Sequence, residues 1–231
     1  MKTPPPPSPF PASNTCVLKG GTMLHRVHDA RFGSCTFNPG LGRLSRFAPL
    51  HLPGGPIPTQ YVATTFECAV NETIFHDVPL TAPGKTVGAD NIKPLAHSVV
   101  EPIRDLKLVP LFTPDLARWN ISRAELIETD ADQYPMIAQW ALAIHQARPD
   151  VDGLIWTSKR CDPDRSILLF GDRSTRATYP RSARRPYSRT SPRCPKSSTL
   201  RPALRSLSLS DIAHSFFVRR ARRHFWCPHV A

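Results

Sequence analysis

Apolar positions along this chain recur with two different periods, and the periods alone outline a mixed set of helices and strands. Phe66, Ala69, Val70, Thr73 and Ile74 return at three- and four-residue spacing, which predicts a helix with one apolar face. Gln60 to Ala63 suits a short strand just before it. Thr64 and Glu67 then form a T-x-x-E capping box at the helix start. A longer helix is predicted over Tyr134 to Ala147, with Ile137, Trp140, Ala141 and Ile144 on one face. Two short helices precede it. One starts at Thr113 as N-cap ahead of Pro114, the other at a Ser122–Glu125 capping box. Met23 to His28 reads as a first strand. Asp105 to Phe112 alternates around Pro110 and suits an edge strand. Gly153 to Ser158 and Ser166 to Gly171 are short, nearly continuous apolar runs, as expected of central strands buried on both faces. Arg31 to Pro58 is mostly loop with short extended pieces, and Leu80 to Pro102 is a polar connection. Residues 1–15, with their run Pro4 to Pro7, predict an extended, poorly ordered leader.

Charge divides the chain. The net charge is +12, yet residues 1–173 carry 17 Lys+Arg and 17 Asp+Glu. The remaining 13 basic residues lie in 174–231 beside a single acid, Asp211. The excess belongs to an Arg/Ser/Pro-rich tail without apolar periodicity. A selected tail of this kind would bind nucleic acid or membrane, with Tyr179, Tyr187, Phe216, Phe217 and Trp226 available to stack on bases. A shift of reading frame near codon 174 would produce the same abrupt change, and the absence of any basic amphipathic helix in the tail favours it. Three segments are therefore expected: a leader (1–15), a folded domain (16–173) and a basic, disordered tail (174–231). Cys16, Cys35, Cys68, Cys161, Cys194 and Cys227 show no C-x-x-C pair or zinc spacing. With no signal peptide and no apolar run of ~20 residues, the expectation is a cytoplasmic protein with six free thiols.

A few polar side chains lack a local structural reason. Glu67 sits in the first helical turn, where the macrodipole accounts for an acid. Glu72 lies about 60° beyond Ala69 on the wheel, at the rim of the apolar face. It is either solvated or a site carboxylate. Arg46, held with Phe47 among Gly and Pro turns, is either a solvated loop arginine or a fork for phosphate. Arg26 shares a strand face with Leu24, so it either snorkels at an edge or enters a pocket. His25 and His28 fall on opposite strand faces and make a poor metal pair. Ser158 closes an apolar strand, a position common to site residues and turn caps alike.

Taken in order, HRVHDARFGSCTFNP, SRFAP, IPTQYVATTFECAVNETIFHDV, the Tyr134–His145 pattern Y-x-x-x-x-x-W-A-x-A-I-H, DGLIWTSKR and LLFGDR resemble the RES domain over about residues 22–173. The resemblance implies an α+β fold, a mixed sheet with flanking helices akin to ADP-ribosyltransferases. It also implies an activity that destroys NAD+, as the toxin partner of a helix-turn-helix (Xre-like) antitoxin. The family's site arginine, tyrosine, glutamate and serine fall on Arg46, Tyr61, Glu72 and Ser158, with Arg26 as an additional pocket arginine. Arg26, Arg46 and Tyr61 would bind NAD+, here a substrate. Neither metal nor cofactor is expected, and inorganic phosphate is a possible co-substrate. Against family members, the Arg/Ser/Pro tail replaces the structured residues that follow LLFGDR. Two other functions fit parts of the sequence: nucleic-acid or partner binding through the tail, and ADP-ribose transfer to a protein.

Overall fold

The two nearly continuous apolar runs take the middle of the sheet. In the computed structural model, which describes residues 2–76, 78 and 87–178, they form β8 (Gly153–Thr157) and β9 (Arg165–Phe170). Before them come β1 (Cys16–Leu18), β2 (Leu24–Asp29), the small hairpin β3 (Leu50–Leu52) and β4 (Gly55–Ile57), and β5 (Thr59–Ala63). Then follow α1 (Phe66–Thr73), α2 (Ala89–Ile92), β6 (Leu95–Val100), β7 (Leu106–Pro110), α3 (Thr113–Ala117), α4 (Arg123–Leu126) and α5 (Tyr134–Ala147). Helix α6 (Gly171–Thr178) leaves directly from β9. Seven strands make one mixed sheet in the order β1-β7-β8-β9-β5-β2-β6, with β9 at its centre. Only the β7–β8 pair is parallel. The fold is α+β, with the sheet and helices that were expected.

Alternation along the strands sorts the core into two faces. On one, Leu154, Trp156, Leu168 and Phe170 pack under α5, whose Ile137, Trp140, Ala141 and Ile144 are at most 1% exposed. Burying each Ile side chain is worth about 1.5–3 kcal/mol, so this stripe is what docks the helix. Helix α1 covers the same face further along, laying Cys68, Ala69 and Val70 on Val27 and Ala63. Leu24, Val62, Ile155, Ile167 and Leu169 fill the opposite face with Phe37. Gly153 is required where β8 enters, because a Cβ there would collide with the Leu168 carbonyl oxygen.

Several expectations shift. Leu80 to Pro102 is not all connection. Leu95–Val100 forms β6, pairing with β2 through six residues from Leu24↔Val100 to Asp29↔Leu95. Its polar His97 and Ser98 hid an alternation whose buried members are Ala96, Ser98 and Val100. Strand β7 is not an edge, because β1 pairs outside it through Cys16↔Leu108 to Leu18↔Leu106. Pro110 stands at its last residue, after which Leu111 N–H donates to the Ile155 carbonyl at 2.8 Å. Helix α3 begins one residue early: Phe112 is the N-cap position and makes no side-chain cap bond. The Ser122–Glu125 capping box and the bounds of α5 stand as expected.

The leader is extended, as its prolines require, but it is packed. Trp140 Nε1 donates to the Pro4 carbonyl at 2.8 Å, Trp119 Nε1 to Ala12 O at 3.3 Å, and Arg148 to Ser13 at 2.7 Å. Phe10 lies edge-on to both Trp119 and Trp140. Indole N–H groups at the rim of a core need acceptors, and the leader's carbonyls supply them. At the other end, the expected boundary at residue 173 falls inside α6, where Ser174 is buried and donates to the Asp152 carbonyl at 3.1 Å. The aromatics proposed for the tail lie outside the described residues. Cys16, Cys68 and Cys161 are free, whereas Cys35 is disulfide-bonded, so the expectation of six free thiols fails there.

Candidate active site

Helix α1 starts one residue later than expected. The Thr64 hydroxyl is taken by the Arg165 N–H at 2.9 Å, so the cap falls on Thr65, whose Oγ1 accepts from Cys68 N at 3.1 Å. Thr65 Oγ1 also donates to Asp164 Oδ2 at 2.8 Å, tying the helix start to the turn between β8 and β9. Further along α1, Asn71 Nδ2 donates to Cys161 Sγ at 3.6 Å, and beyond the helix Arg160 donates to the His76 carbonyl. These ties fix α1 over the 158–164 turn. That places Glu72 above Ser158.

Ser158 is fully buried, and its Oγ donates to Glu72 Oε1 at 2.6 Å. The same oxygen accepts from Arg160 N at 3.0 Å and Cys161 N at 3.1 Å. Ser158 therefore caps the turn, one of the two roles that its position suggested, and holds the Glu72 carboxylate. The other carboxylate oxygen faces Arg46, with Nη1 to Oε2 at 3.4 Å. Arg46 is 6% exposed and Glu72 15%, so neither is a solvated surface group. Arg46 Nε is buried and has no hydrogen-bond partner.

Arg46 owes its position to Tyr61. The 45–48 turn closes through Ser45 N–H to the Ala48 carbonyl at 2.7 Å. Tyr61 Oη accepts from Phe47 N–H at 3.0 Å and lies 3.0 Å from Ser45 Oγ, which itself donates to the Ala48 carbonyl. The tyrosine therefore donates to the serine. Phe47 is fully buried, its ring edge-on to Trp156 at 4.9 Å between centroids. Burial pushes the Tyr61 hydroxyl up to about 12, so it remains a donor at any physiological pH. Burial likewise raises the thiols of Cys68 to about 12 and Cys161 to about 11. Neither cysteine is a thiolate nucleophile.

Arg46, Tyr61, Glu72 and Ser158 thus come together from a loop, a strand, a helix and a turn. Arg26 does not join them. His25 pairs with Ala63 across the β2–β5 ladder, so His25, Ala63 and Tyr61 share the α1 face, and Arg26 points to the other. There it is 7% exposed and donates to the Ser34 carbonyl at 2.6 Å, neither snorkelling nor lining this site. Two further cations, Lys159 and Arg160, follow Ser158 directly in the turn and carry no prediction from periodicity or capping. Their signal was adjacency: two bases directly after a serine at a strand end.

The RES domain family model matches residues 23–190. The chain belongs to the RES domain family. Within this family of toxin-like, NAD-related domains, all four clustered residues lie inside the matched span, which continues past α6. No curated protein matches the chain. Among the described residues of this RES domain, no helix is long and apolar enough to cross a membrane, and no three His, Cys, Asp or Glu side chains are grouped to hold a metal.

Proposed function

We propose that this RES domain cleaves the nicotinamide–ribose bond of NAD+, with Glu72 as the carboxylate that faces the reacting carbon. The observation that carries the reading is the half-buried Glu72, held by Ser158 Oγ at 2.6 Å and flanked by the buried Arg46. As the C1′–N bond breaks, its electron pair leaves with neutral nicotinamide and the ribose gains oxocarbenium character. A fixed carboxylate in a site poor in water stabilises that charge. Ser158 fixes the rotamer of the carboxylate. Arg46 supplies a guanidinium for the pyrophosphate, and the Tyr61 ring packs on ribose or nicotinamide. An oxygen of phosphate or of water then bonds to C1′. Water gives ADP-ribose and a proton, phosphate an ADP-ribose phosphate. NAD+ is a substrate here, and no cofactor takes part. The partner that silences the activity is a helix-turn-helix, Xre-like antitoxin.

The test is NAD+ consumption by the purified chain, followed by proton NMR with and without phosphate beside Glu72→Gln. Loss of NAD+ with release of free nicotinamide, absent from the folded variant, is the expected result. Folded wild-type protein that leaves NAD+ intact would overturn the reading.

A further inference from the structure

The cations around Glu72 outnumber what it can neutralise. Lys159 follows Ser158 in the turn, and its Nζ donates to a neutral acceptor, the Thr129 carbonyl, at 2.9 Å. An ammonium has three N–H donors, so two remain for another acceptor. The charged groups facing Lys159 are Arg46 and Arg160, which repel it, and Asp130 and Glu72, which attract it. It forms no ion pair with either acid, and Glu72 is already engaged by Arg46 and Ser158. Burial first, then Arg46 and Arg160, hold Lys159 below the ordinary lysine value. A half-buried ammonium with two donors to spare, in the field of the buried Arg46 guanidinium, is short of an acceptor, and an oxyanion would supply one.

We propose that Lys159 is the second cation of a phosphate-oxygen site whose first is Arg46. It takes a phosphoryl oxygen of the dinucleotide's pyrophosphate or of a phosphate acceptor. The proposal rests on the NAD+ reading only for the identity of the substrate; the anion site can be measured without turnover. Lys159 swings from Thr129 O or shares that bond, and the compact ammonium suits a single phosphoryl oxygen where the arginine fork suits two.

Lys159→Met keeps the length of the side chain and removes the charge, whereas Lys159→Arg keeps the charge. Calorimetric titration of the full chain with ADP, and separately with inorganic phosphate, measures the anion site directly. Loss of one charge-assisted hydrogen bond weakens binding by about 10- to 100-fold in the Met variant, and the Arg variant recovers most of it. If ADP binding carries the loss, the oxygen belongs to the pyrophosphate; if inorganic phosphate carries it, the oxygen belongs to the acceptor. In turnover the same loss is expected in KM for that ligand, with kcat less affected. A rise of that KM toward alkaline pH, as Lys159 loses its proton, is expected in wild type and not in Lys159→Met. Equal binding by wild type and Lys159→Met overturns the proposal. So does a fall in melting temperature that Lys159→Arg does not restore, which would make Lys159 only an anchor for Thr129. Wild type that binds ADP through Lys159 but leaves NAD+ intact would sustain the anion site and sink the reaction.

Discussion

Arg26 and Arg46 are buried to the same degree, 7% and 6% exposed, on opposite faces of one sheet, and their surroundings differ in kind. Around Arg26 the polar groups satisfy one another apart from the buried Gln60 Oε1, and among the described residues no buried cationic nitrogen there lacks a partner. The Ser34 carbonyl accepts from Arg26 and from Gln60 Nε2 at 3.2 Å, while His28 reaches Ser98 Oγ and the Asp29 carbonyl, each at 2.9 Å. Around Arg46 they do not. Its carboxylate partner is shared with Ser158, its Nε is orphaned, and Lys159 beside it has donors to spare. A buried arginine bound to loop carbonyls holds a loop in place. A buried arginine left partly unsatisfied is poised for a ligand, because burying a polar group without a partner is otherwise a net cost.

The comparison breaks most visibly at Glu72. Glu72→Gln is expected to lower kcat for NAD+ cleavage by about 100- to 1000-fold with little change in melting temperature. A fall in stability large enough to account for the lost activity would put Glu72 in the structural class instead. Arg26→Met should do the reverse. It leaves the Gly33 and Ser34 carbonyls short of a donor and costs about 2–3 kcal/mol in urea unfolding, while the folded fraction keeps its kcat. Ser158→Ala belongs to both classes. Losing the bond to Glu72 costs roughly tenfold in kcat, and losing the acceptor for Arg160 N and Cys161 N costs about 1 kcal/mol. Kinetics and unfolding on the same preparation separate the two.

The Arg26 face should also respond to acid. Burial, and next the Arg26 charge, hold His28 below the ordinary imidazole value of 6.5. The folded state favours the neutral ring, so its stability is complete above that value and declines as pH falls below it toward the depressed folded value. His25 is shifted in the same sense and His97 is pushed down to about 4, so His28→Asn should shallow the decline without abolishing it. A variant with an unchanged slope would remove His28 from the account. Smallest is Tyr61→Phe. It keeps the ring on Trp156 but removes the acceptor for Phe47 N–H, costing about 1 kcal/mol. A modest rise in KM is expected as the Arg46 turn loosens.

Much of this was legible in the chain. Helix α5 was readable because four apolar residues at helical spacing have no other way to be buried together. Strands β8 and β9 were readable because a run apolar on both faces belongs in the middle of a sheet. Glu72 and Ser158 stood out as polar groups at the ends of apolar patterns. Strand β6 did not, since His97 and Ser98 read as loop until β2 lies alongside to accept them. Nor did the leader's packing, because the acceptors it offers serve Trp119 and Trp140, more than a hundred residues away.

What this sequence determined by itself is local: which stretches coil, which extend, and which side chains have no local work. Those follow from period, capping chemistry and backbone restriction, all read within a few residues. Which face of β2 Arg26 takes relative to α1, which of two threonines caps that helix, and which cations gather at Glu72 were decided only when distant strands paired. Each depends on register, and a shift of one residue sends a side chain to the other side of the sheet. The Arg46–Glu72–Ser158 contact joins a loop, a helix and a turn that meet only because β5 lies against β9.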